Sequence, residues 1–106
     1  MAKKLVTLNR IEHKTFVSYL SLSSIFGFSN ADDFYDAAYR VFYKDNATAS
    51  LYVDSVVTDI DTNIVWFDAS ACMYLSRFLP LTAENLEIFE LLLKTLRANE
   101  ALGVAA

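Results

Sequence analysis

The clearest pattern in the chain lies at residues 83–99, where Leu86, Ile88, Phe89, Leu91, Leu92, Leu93 and Leu96 spread over more than half of a helical wheel. Glu87, Glu90, Lys94 and Arg97 share the narrow remaining arc. Thr82 can cap this segment, and its acids fall early and its bases late, as the helix dipole favours. The pattern predicts an amphipathic C-terminal helix that needs cover on more than one side. A second helix is predicted over 31–43, capped by Ser29 or Asn30 and led by Asp32 and Asp33. Its Phe34, Ala37, Ala38, Val41 and Phe42 form a core face, while Tyr35, Tyr39 and Tyr43 recur at i, i+4 and i+8 on another.

Between these helices, β-branched and aromatic residues over 48–58, with Leu51, Val53 and Val57 on one parity, predict a strand. The polar run 59–63 turns the chain into a second strand over 64–67, giving a β-hairpin. A short helix over 69–79 follows, ended by Pro80. Toward the N-terminus, 4–8 alternates as a short edge strand. Asn9 with Glu12 forms a capping-box pair that predicts a helix from Arg10. The stretch 16–22 fits both a strand period and a helical face, and helix is the reading favoured. The expected architecture is one α+β domain spanning 1–106, with three to four helices packed around a β-hairpin and the amphipathic helix at its C-terminus.

Composition sharpens this picture. Of 106 residues, 55% are hydrophobic, more than a small single core absorbs, so part of the surplus should lie where another protein covers it. Two glycines and one proline imply short connections, and no internal repeat is visible. Thirteen acidic against nine basic side chains give a net charge of −4, which repels a phosphate backbone. The longest uncharged stretch, 15–31, holds five serines and an asparagine and is too polar to span a bilayer. The apolar run after Lys3 and Lys4 is too short for a secretion signal, so a cytoplasmic protein without membrane contact is expected.

Candidate chemistry is sparse. Asp59, Asp61 and Asn63 begin like a calcium loop or a phosphatase motif. The calcium loop then needs glycine and glutamate where Ile64 and Ser70 stand, and the phosphatase motif needs threonine in place of Asn63. A turn whose carboxylates bond their own backbone is the plainer expectation. His13 sits between Glu12 and Lys14 in a polar setting that provides no local nucleophile–base–acid pairing, and Cys72, the only cysteine, lies in an apolar setting. Asp54 and Asp68 are the carboxylates that a hairpin could bring face to face. No catalytic residue, metal or cofactor is expected.

Leu22 and Ser23, then Phe26, Gly27, Phe28, Ser29 and Asn30, then Phe34 and Phe42, resemble the second helix-turn-helix of AraC-type transcription regulators. That resemblance implies a short helix, a Gly-Phe-Ser turn and a recognition helix packed as a unit. With the hairpin that follows, it also resembles a winged helix whose last helix dimerises. The would-be recognition helix opens with Asp32 and Asp33, with Asp36 one turn on, so DNA binding ranks second.

The first expectation is a non-enzymatic protein–protein interaction or assembly module, acting as a homodimer or by docking on a larger complex. A phage-type accessory or inhibitor protein has this acidic, compact character. Its partner is another protein or a second copy of itself. The expected interface comprises Phe89, Leu92, Leu93 and Leu96, with Tyr35 and Tyr39 as further anchors.

Overall fold

The computed structural model describes residues 8–11 and 14–105, with side chains over 14–98. In chain order the elements are β1 (Leu8–Ile11), β2 (Lys14–Ser18), α1 (Tyr19–Ile25), α2 (Ala31–Phe42), α3 (Asn46–Leu51), β3 (Val56–Asp59), β4 (Ile64–Phe67), α4 (Ala69–Ser76) and α5 (Ala83–Ala105). The strands form one antiparallel sheet in the order β1-β2-β4-β3. The class is α+β, with the expected β3–β4 hairpin and C-terminal helix, and the hairpin is extended by two further strands.

The helix expected from Arg10 is replaced by the β1–β2 hairpin, in which Arg10 pairs with Thr15 and Asn9 with Phe16. The reason is tertiary. β2 lies between β1 and β4, and Thr15, Phe16, Val17 and Ser18 are all buried, which a helix starting among polar residues cannot achieve. The edge strand expected over 4–8 lies outside the described residues except for Leu8.

The ambiguous 16–22 segment divides at Ser18, which ends β2 and caps α1 by accepting a hydrogen bond at its Oγ from the Ser21 N–H, 3.2 Å away. α1 ends in a Schellman motif. Gly27 has φ +80°, its N–H donates to the Ser24 carbonyl, and the Phe28 N–H donates to the Ser23 carbonyl. Asn30 then caps α2, its Oδ1 accepting from the Asp32 N–H at 2.7 Å.

The strand expected over 48–58 is corrected to a short helix and a shorter strand. Asp45 Oδ1 accepts from the Thr48 N–H at 2.7 Å and caps α3, while Leu51 and Val53 are exposed and provide no buried strand face. The turn between β3 and β4 closes with the Asn63 N–H on the Asp59 carbonyl and Asn63 at φ 62°.

On one face of the sheet, Val17, Val65 and Phe67 meet Leu22 and Ile25 of α1, Phe34, Ala38 and Phe42 of α2, Cys72 and Leu75 of α4, and Phe89, Leu92 and Leu96 of α5. Phe67 is central, with ring centroids 6.2 Å from Phe34 and 6.0 Å from Phe42. Each such buried ring contributes about 1.5–3 kcal/mol of transfer free energy. Phe16 and Trp66, on the other parity of their strands, are buried apart from this cluster.

Candidate binding surface

α5 packs on β2, α4 and α1, which covers part of its broad apolar arc and leaves Leu86 and Leu91 exposed. Phe89, Leu92 and Leu96 are consequently buried in the chain's own core, with the Phe89 ring edge-on to Phe26 at 5.4 Å, and Leu93 is half-buried against the same cluster. Phe89, Leu92 and Leu96, expected at an interface, are thus held by intramolecular packing, while Leu93 keeps part of its surface open. The correction follows from the helix laying this stripe on the core while its other side stays at the surface.

Tyr35 and Tyr39 are exposed and form a ladder with Tyr43 along α2, with ring centroids 6.3 Å and 4.6 Å apart. The neighbouring stripe of α2, Phe34, Ala38 and Phe42, enters the core, and Val41 packs against it. Between the ladder and β3 runs a shallow open groove of about 50 Å³ lined by Tyr35, Ala38, Tyr39, Phe42, Tyr43, Val56, Thr58, Val65 and Phe67. A second opening of about 330 Å³ is formed by Tyr19, Asp32, Tyr35, Thr58, Asn63 and Val65. Tyr35, Thr58 and Val65 belong to both. The first opening has an apolar floor, whereas the second carries a carboxylate and an amide.

The groove borders an open sheet edge. β3 is the outermost strand and pairs with β4 alone among the described residues. The Ser55 carbonyl accepts from the Asp68 N–H at 3.0 Å, so the antiparallel alternation directs Val57 and Asp59 toward β4 and turns the backbone groups of Val56 and Thr58 outward. The Val56 N–H is used by the Tyr52 carbonyl at 3.2 Å. The N–H and C=O of exposed Thr58 thus face solvent on the same strand whose side chains line the groove.

Carboxylates gather at one end: Asp32 lines the wider opening, and Asp59 and Asp61 occupy the hairpin turn, where Asp59 Oδ1 accepts from the Asp61 N–H at 2.9 Å. At the other end of α2, the Lys44 ammonium lies 4.8 Å from the Phe78 ring centroid and 5.7 Å from that of Tyr74.

Asp68 is buried, caps α4 through the Ala71 N–H at 2.9 Å and pairs with Lys14 at 3.2 Å. Asp54 is exposed, and the register sets Ser55, not Asp54, opposite Asp68, so these two acids do not form a facing pair. Burial, reinforced by the Asp68 carboxylate, pushes the Cys72 thiol far above its ordinary range and keeps it protonated. Among the described residues no cluster of three or more His, Cys, Asp and Glu side chains is placed to hold a metal ion. His13 lies outside the described residues.

Sequence reasoning found the tyrosine ladder but missed Thr58 and the open edge. The parity of Val56 and Thr58 was the available signal, and it was obscured by reading a longer strand whose inward parity was that of Val57. Comparison with family models, curated proteins and solved structures finds no match to this chain.

Proposed function

We propose that this chain is a non-enzymatic protein-binding module that docks its partner in the groove between α2 and β3. One observation carries the reading: exposed backbone groups of an outermost strand lie beside a ladder of exposed tyrosines. A free strand edge is a template for pairing with another chain, and natural proteins usually blunt it. Tyrosine supplies large contact area at low entropic cost and tolerates a surface that is wet until a partner covers it. The module acts by occupancy, in the manner of an accessory or inhibitor protein of the phage type. Among the described residues no helix is long and apolar enough to cross a membrane, and the cytoplasm is the proposed place of action.

A photo-cross-linking residue in place of Tyr39, compared with one in place of Glu87 on α5, tests this in cells that express the protein. A discrete protein adduct from position 39 alone is the expected result. Equal labelling at both positions, or none at 39, overturns it.

A second reading as a winged-helix-like DNA-binding regulator draws on the α1–turn–α2 unit, with Gly27 at φ +80°, followed by the β3–β4 hairpin. Asp32, Asp33 and Asp36 on the exposed side of α2 oppose it. Absence of retardation of any duplex in about 50 mM salt would end that reading.

A further inference from the structure

Resting on the protein-binding reading, we infer that the occupant of the groove is an extended segment of another protein that adds to the β3 edge and carries a lysine or arginine two residues from an apolar side chain. An extended backbone can bond to the outward N–H and C=O of Thr58, whereas a helix has none of its own to offer. Alternate side chains of a paired strand point to the same face and lie about 6.5–7 Å apart. Alternate side chains of such a strand can therefore enter the two neighbouring openings, which share Tyr35, Thr58 and Val65. An apolar residue meets the floor made by Ala38, Phe42, Val56 and Phe67. Its neighbour two positions along meets Asp32, Asn63 and the Tyr35 ring. A cation there gains the carboxylate and an aromatic face together.

A second copy of this chain is the poorer occupant. β3 has only four residues, and Asp54, Asp59 and Asp61 flank or end it. Edge-to-edge pairing of two copies draws both sets of carboxylates together. The net charge of −4 adds long-range repulsion between copies and attraction for a basic segment.

The test is selection of a random linear heptapeptide library on the immobilised full-length protein. Titration calorimetry of the most enriched peptide follows, against the wild type and the Asp32→Asn and Thr58→Pro variants. Enriched sequences should share Lys or Arg two positions from a β-forming apolar residue. Replacing that cation with glutamate, or using Thr58→Pro, should weaken binding by about tenfold or more, and Asp32→Asn by about fivefold. If circular dichroism finds Thr58→Pro unfolded, a peptide N-methylated along one edge replaces it as the probe of backbone pairing. No enrichment, motifs without the spaced cation, or binding indifferent to these changes overturns the inference. A Tyr39 adduct of exactly two copies of this chain also overturns it. A Tyr39 adduct to another protein combined with a failed selection refutes the strand occupant and spares the protein-binding reading; loss of that adduct refutes the reading itself.

Discussion

Leu96 decides whether α5 is core or contact surface. It is fully buried, in the same cluster as Val17, Phe89 and Leu92, so Leu96→Ala leaves a cavity that the surrounding packing keeps from collapsing. Enclosed Leu→Ala changes cost about 3–5 kcal/mol, against a total of about 5–15 kcal/mol for a domain of this size. The midpoint of thermal unfolding should fall by about 12 °C or more, at about 4–8 °C per kcal/mol. Urea unfolding followed by far-UV circular dichroism measures this directly, with an unchanged m-value marking a loss of stability alone. Tyr39→Ala is the control, because half of that side chain is already in water, and its cost should stay within about 0.5 kcal/mol. Changing Leu92 and Leu96 together to lysine should unfold the chain, since two ammonium groups cannot be hydrated there. A folded monomer from that double variant, alongside an oligomeric wild type in light scattering, would refute the core assignment. So would a Leu96→Ala cost below about 0.5 kcal/mol.

Two pH-dependent effects follow from the same structure. Because burial raises the Cys72 thiol above its ordinary value of 9.0, the folded state keeps a proton that the unfolded chain surrenders. The resulting stability is complete below that value and declines as pH rises past it, by up to about 1.4 kcal/mol per pH unit. Urea midpoints between neutral and alkaline pH should display the decline, and Cys72→Ala should lack that component; identical slopes in the two proteins would contradict it. At the acid end, the Thr48 backbone N–H, then its hydroxyl, hold the Asp45 carboxyl below its usual 3.8. The contribution of this cap is present above the unfolded-state value and is lost as pH falls through the lowered native one. Amide shifts of Asn46–Leu51 should report that loss in acid, and Asp45→Ala should melt α3 at neutral pH while leaving α2 intact; a helical α3 in that variant would refute the capping argument.

The elements legible in the sequence are those whose signals are local. α2 has its Asn30 cap, leading acids and a helical apolar face, and α5 has Thr82, whose Oγ1 accepts from the Asn85 N–H at 3.2 Å. The β3–β4 hairpin is written in a polar turn between apolar runs. The β2–α1 junction was hidden because Ser18 converts strand into helix with neither glycine nor proline to mark the change. The capping-box pair at Asn9 and Glu12 lost to strand pairing that only the neighbouring β2 provides. α3 was masked by the β-branched content around it, although Asp45 three positions before Thr48 is a capping spacing. The wheel of α5 could not separate core from interface, since positions covered by β2, α1 and α4 are as apolar as Leu86 and Leu91, which stay exposed. Thr58 was invisible as a binding residue for a related reason: which strand is outermost is a property of sheet order, not of the strand.

The carboxylates of α2 also give the two binding readings opposite signs. In the DNA reading, Asp32 at the head of the helix repels phosphate, so Asp32→Asn should strengthen binding to any duplex. In the groove reading, Asp32 faces a cation of the docked strand, so the same substitution should weaken binding. The Asn30 cap uses the backbone N–H of residue 32, not its carboxylate, and the change therefore leaves that hydrogen bond in place. Added salt weakens both kinds of complex and cannot tell them apart. The direction of the Asp32→Asn effect can, because a single charge is removed at a position where phosphate and ammonium respond in opposite ways.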